Sequence, residues 1–134
     1  MRNTVFDSYA VLALLFAEPG KDIVKQLLQE ASQDSRDVFI TTINWAEVSY
    51  RVIRKNGPSD WAASRNALLQ LPIQIVVADL DLAELAAEYK AAHKMSLADA
   101  FAAALAKQKK AELVTGDPEF KPLESDLRKI TWLK

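Results

Sequence analysis

Cysteine is absent from the 134-residue chain, glycine occurs three times and histidine once. Without cysteine there is neither a disulfide framework nor a thiolate metal ligand, and a reducing compartment fits the composition. His93 alone argues against a zinc site. With only three glycines and five prolines, there is no flexible linker, low-complexity segment or internal repeat. Charge of one sign is not in excess: the formal net charge is −1 and the sequence pI about 5.8. Any contact with nucleic acid must therefore come from a local basic patch. The apolar stretch Tyr9 to Ala17 is too short to span a bilayer and is flanked by Asp7 and Glu18. The expectation from these absences is a cytoplasmic chain with no signal peptide and no membrane segment.

What is present is an ordinary supply of core residues: 50% of the chain is hydrophobic, enough for residues 1–134 to form one compact domain. Runs rich in β-branched and apolar residues predict strands at Thr4 to Phe6, Val38 to Thr42, Ile73 to Val77 and Glu112 to Thr115, with a weaker fifth at Ile130 to Leu133. Between them, apolar residues recur at helical spacing, as in Ile23, Leu27 and Leu28, or Leu82, Leu85, Ala86 and Tyr89. Asn56-Gly57-Pro58 breaks one helical stretch, Ser59 and Asp60 are candidate caps for the next, and Leu71-Pro72 closes it. Strands alternating with helices imply right-handed crossovers and a mainly parallel sheet covered on both faces, a three-layer α/β/α sandwich. Ligands of such sheets bind outside the carboxyl ends of the strands.

Four carboxylates stand at those places, and each has a structural explanation of its own. Asp7 ends the first strand and would cap the following helix. Glu47 completes a capping box opened by Asn44, and Asp99 completes one opened by Ser96, at the head of an alanine-rich helix running to about Lys110. Asp117, in Thr115-Gly116-Asp117-Pro118, would initiate a turn. Asp81 to Glu84 forms a third capping pattern, which assigns Asp81 to capping and leaves Asp79 without a role. The individual explanations leave the common placement unaccounted for, because Asp7, Glu47 and Asp117 each follow a separate strand and Asp99 opens a helix leading to another. Carboxylates brought within a few ångström repel one another and resist desolvation unless protons or cations neutralise them. Oxygen-only ligation without cysteine points to a hard divalent ion, Mg²⁺ or Mn²⁺.

In order and spacing, Val5-Phe6-Asp7-Ser8, Ile43-Asn44-Trp45-Ala46-Glu47-Val48, Ser96-Leu97-Ala98-Asp99-Ala100 and Val114-Thr115-Gly116-Asp117-Pro118-Glu119-Phe120 resemble the motifs of PIN-domain ribonucleases. The similarity spans essentially the whole chain, and the size resembles the VapC-type toxins of toxin–antitoxin pairs. After Glu47, Val48-Ser49-Tyr50-Arg51-Val52 departs from the glycine-containing continuation of many VapC-type chains, which leaves the subfamily and the RNA target open. The resemblance implies that Asp7, Glu47, Asp99 and Asp117 are the acidic catalytic positions, with Asp7, Asp99 and Asp117 as metal ligands and Ser8 and Thr115 as polar supports. It also implies an RNA substrate cut to 5′-phosphate and 3′-hydroxyl ends, a small antitoxin covering the acidic cleft, and dimerisation.

Arg51, Arg54 and Lys55 lie four, seven and eight residues beyond Glu47 and share its helix face, where they would either bind flanking phosphates or form a solvated surface. Lys107, Lys109 and Lys110 are assigned to the dipole of a helix C-terminus, and Trp45 to core packing. Aspartyl-phosphate phosphatases and receiver domains also gather acids at strand ends, but Asp7-Ser8-Tyr9 lacks a second acid two residues on. The alternative of another kind is a PIN-like module that binds RNA or protein without cutting.

Overall fold

A computed structural model of the chain describes residues 2–133. In chain order the elements are β1 (Arg2–Phe6), α1 (Ser8–Leu15), α2 (Lys21–Ser32), β2 (Arg36–Thr41), α3 (Thr42–Asn56), α4 (Pro58–Leu69), β3 (Gln74–Val76), α5 (Leu80–Ala92), α6 (Leu97–Lys109), β4 (Glu112–Thr115), a 3-10 turn (Pro118–Leu123) and β5 (Lys129–Trp132). The five strands form one parallel sheet in the order β3-β2-β1-β4-β5. The parallel α/β sandwich expected from the alternating pattern is therefore the architecture observed.

Side chains alternate across each strand, so β1 sends Val5 to one face and Phe6 to the other. Val5, Phe39 and Leu113 join a core packed under α5 and α6, while Phe6, Val38, Ile40 and Val114 join a second core under α1 to α4. Both faces are covered, which explains why the inner strands read as continuous apolar runs. Every residue from Asp99 to Ala106 in α6 is buried. The alanines suit that position, since small side chains allow a helix to be enclosed on every side.

Three helix starts differ from the sequence expectation. α3 begins directly from β2, so its cap is Thr41, whose hydroxyl accepts from the Asn44 amide, and Asn44 lies inside the first turn. α4 is introduced by Gly57 at φ 93°, with Pro58 in the first turn, rather than by Ser59 or Asp60. A positive φ favours glycine, and proline fits where no amide donor is required. α5 is capped by Asp79, which accepts from the Leu82 amide, leaving Asp81 in the first turn. Ser96 caps α6 as expected.

β1 is central, and the chain goes to one side of it for β2 and β3, then to the other for β4 and β5. The switch point lies between the carboxyl ends of β1 and β4, where a doubly wound sheet opens a crevice.

Candidate metal centre

Asp7 leaves β1 at this switch point and is buried. One carboxylate oxygen accepts from the Ala10 amide at 2.9 Å and caps α1, and the other accepts from the Thr115 hydroxyl at 2.5 Å. The same Thr115 oxygen accepts from the Asp117 amide at 3.0 Å. The cap and the site are thus one feature, and the ends of β1 and β4 are held together by it. Gly116 is required by a close approach, since a Cβ there would lie 2.3 Å from the ring of Tyr9.

A second buried set ties the helices to this point. Asn44 donates from its side-chain amide to Ser8 Oγ at 3.2 Å and to the Ala98 carbonyl at 3.1 Å, and its Oδ1 accepts from the Thr41 hydroxyl at 2.5 Å. Asn44 therefore links the start of α1, the start of α3 and the first turn of α6, which carries Asp99. Sequence reasoning missed this, because an asparagine near a helix start already has a sufficient explanation as a cap.

Asp99 stands on the first turn of α6 and is buried. Oxygen atoms of Asp99, Asp117 and Glu119 lie within 4.8 Å of one another, a spacing suited to holding one cation. Glu119 has no role in the sequence expectation; its only signal there is an acid two residues beyond Asp117. Glu47 contributes from α3 and is paired with Arg51 at 3.7 Å. Ser8, Tyr9, Glu47, Arg51, Asp99 and Asp117 line a cavity of about 190 Å³. A further groove of about 500 Å³ shares Arg51 with it and continues past Tyr50, Arg54 and Lys55. In it the Arg54 guanidinium lies 4.8 Å from the Tyr50 ring centroid and the Lys55 ammonium 4.2 Å from that of Phe16.

The electrostatics follow from the crowding. Burial pushes Asp7 up to about 7, only partly opposed by the bonds from Thr115 and Ala10, with further upward pressure from Asp117 and Glu47. Burial also pushes Asp99 up to about 8, reinforced by its hydrogen bond with Asp117 and by the charges of Asp117, Asp7 and Glu47. Such groups hold protons near neutral pH until a cation replaces them. The donors are all carboxylate oxygens and His93 lies elsewhere, beside Lys107 and Asp126. The set fits a hard divalent ion.

A doubly wound α/β fold with an all-oxygen acidic crevice at its switch point defines a class of protein built around a candidate metal site. The chain belongs to the PIN-domain family, whose sequence model matches residues 4–124. Among curated proteins no sequence matches. Similar solved structures include VapBC2 from Rickettsia felis bound to a DNA fragment from its promoter (14% identity, TM-score 0.79, 98% of this chain and 99% of that one). DNA-bound VapBC from Salmonella typhimurium matches at 16% identity and TM-score 0.78 over all of both chains. VapC20 of Mycobacterium tuberculosis, a toxin that cleaves the sarcin–ricin loop, matches at 20% identity and TM-score 0.70 over 89% of this chain and 93% of that one. Identities at this level establish likeness of fold.

Proposed function

We propose that residues 1–134 form one PIN-type nuclease domain, an endoribonuclease dependent on Mg²⁺ or Mn²⁺ and acting as the toxin of a toxin–antitoxin pair. The observation that carries this reading is the convergence of Asp7, Glu47, Asp99, Asp117 and Glu119 on one crevice, with Asp7 and Asp99 raised to about 7 and about 8. A binding module has no reason to concentrate negative charge where RNA must lie.

Asp99, Asp117 and Glu119 would hold the cation, with Asp7 beside them. When bound, the ion supplies positive charge that favours ionisation of an attacking water and offsets charge growing on the phosphate. Thr115 and the Ala10 amide fix Asp7 by occupying an oxygen each. Ser8 and Asn44 hold the start of α1 against the first turn of α6, so the acids keep their separation during the reaction. Glu47 stands at the cavity wall and positions Arg51. Arg51, Arg54 and Lys55 continue from the acids along the adjoining groove, where they would receive flanking phosphates.

The resemblance to chains solved as toxin–antitoxin complexes supports a protein antitoxin as partner. Val77 and Leu80, large apolar residues 71% and 73% exposed, support a covered apolar surface and hence a homodimer. The test is incubation of total RNA with purified, antitoxin-free protein. Discrete fragments with Mg²⁺ or Mn²⁺, and none with EDTA or with Asp99→Asn, are the expected result. Absence of cleavage by folded wild type under all metal conditions would leave the non-cleaving RNA- or protein-binding module.

A further inference from the structure

At the opposite edge of the sheet from the acids, the amino ends of β1, β4 and β5 meet the C-terminus of α6. Two adjoining cavities lie here, of about 400 and 310 Å³, which share Lys110 and Arg128 in their walls. Arg2, Lys107, Lys109, Lys110, Arg128 and Lys129 line them. They are drawn from three separate parts of a chain with 17 lysines and arginines and net charge −1. The helix dipole explains the three lysines of α6 and its end, but not the arrival of Arg2, Arg128 and Lys129.

The acids that face this groove are already engaged. Glu112 is bonded to the buried Arg36 guanidinium and to Thr131 Oγ1, with Lys129 at 4.0 Å. Asp126 accepts from Tyr89 Oη at 2.5 Å and from Lys107 at 3.0 Å. Glu30 is bonded to Arg36 at 2.9 Å and paired with Arg2 at 3.4 Å. Among the described residues neither Lys110 nor Arg128 enters an ion pair. The groove therefore keeps a surplus of positive charge with a concave shape.

We infer that this groove is a second nucleic-acid site, which binds the phosphate backbone of RNA at a distance from the bond to be cut. The inference rests on the nuclease reading for its substrate. A protein partner is less well matched, because protein interfaces are anchored by apolar and aromatic side chains, whereas the described residues lining these walls are, Ala106 apart, charged or polar types and none is aromatic. Phosphate backbones require cations and little else. β1 separates the groove from Asp7 by about 17 Å, at roughly 3.3 Å per residue. A structured RNA can engage both places; a tetranucleotide, with one phosphate on each side of a central scissile bond, cannot.

The experiment compares wild type with the triple variant Lys110→Gln, Arg128→Gln, Lys129→Gln, after circular dichroism shows the same fold. Fluorescence anisotropy with a labelled RNA hairpin in EDTA gives affinity against KCl concentration. Loss of three phosphate contacts lowers the salt slope by about 2 to 3 and affinity by about tenfold or more. In Mn²⁺, preference for cleaving the hairpin over the tetranucleotide falls by a similar factor. Unchanged affinity and salt slope overturn the inference, as does a variant that keeps RNA binding but loses binding to a polyglutamate peptide, which would mark a site for an acidic protein segment. If wild type cleaves no RNA, the nuclease reading has failed while the anisotropy still reports on the groove.

Discussion

Asp7→Asn tests whether the site stores electrostatic strain. Asp7 is buried and its carboxyl is raised from 3.8 to about 7 in the folded chain. The fold thus favours the protonated form: this contribution to stability is fully present below about 3.8 and is lost as pH rises through about 7. Integrating that difference gives a cost of about 4 kcal/mol at pH 8 and under about 2 kcal/mol at pH 5. Asparagine carries no such cost. It is still able to accept from Ala10, but the Thr115 hydroxyl loses a carboxylate acceptor, an offset of about 1 to 2 kcal/mol. In metal-free buffer the variant should therefore be stabilised by about 2 to 3 kcal/mol at pH 8 and by almost nothing at pH 5. At roughly 3 to 4 °C per kcal/mol for a chain of this size, Tm at pH 8 rises by about 6 to 12 °C. Differential scanning calorimetry in EDTA at both pH values reads this directly, and saturating Mn²⁺ should narrow the gap by stabilising wild type more than the variant. A correctly folded variant no more stable than wild type at pH 8, or equally stabilised at pH 5, would show that buried Asp7 carries no such electrostatic cost.

Because Asp7 and Asp99 are raised to about 7 and about 8, Mn²⁺ must displace protons. Its apparent affinity by isothermal titration calorimetry should climb between pH 6 and pH 8 and flatten above, with an enthalpy that depends on the buffer. Arg36→Ala removes the guanidinium that holds buried Glu112. Burial pushes Glu112 upward, but Thr131 and Arg36 overcome it and hold the carboxyl below 4.5. Urea unfolding at pH 7 should show a loss of about 3 kcal/mol, shrinking as pH falls from about 4.5 through the lower range in which folded Glu112 takes up its proton. Gly116→Ala forces the Tyr9 ring out of its place, 2.3 Å from the new Cβ, into the cavity that Tyr9 lines. Stability should fall by about 1 kcal/mol, while RNA cleavage falls further, mainly through a raised KM.

Much of this was legible from residue order alone. The β-branched runs located all five strands, since a parallel sheet covered on both faces needs apolar residues at nearly every inner position. Asp7, Asp99 and Asp117 could be placed because each sits where an element ends or begins, and the sheet order gathers those points. Three things were hidden. β2 passes into α3 with no loop, so Thr41 rather than Asn44 became the cap, freeing Asn44 to bridge Ser8 and Ala98. Glu119 lies in a 3-10 turn after Pro118, where no periodicity marks the direction of a side chain. The basic groove joins residues from both ends of the chain to Lys107, Lys109 and Lys110, a run that the helix dipole already explains, so nothing local shows that Arg2, Arg128 and Lys129 meet it.

If carboxylates at the switch point hold the ion on which RNA cleavage depends, cleavage must follow the occupancy of Asp99 and Glu119 by that ion. Single-turnover cleavage of one RNA, followed as Mn²⁺ is titrated into wild type, Asp99→Asn and Glu119→Gln, addresses it most directly. Wild type should show saturable activation from zero, Asp99→Asn no activation, and Glu119→Gln a right-shifted Mn²⁺ dependence. Cleavage by wild type in EDTA, or the same Mn²⁺ dependence in all three proteins, would contradict it.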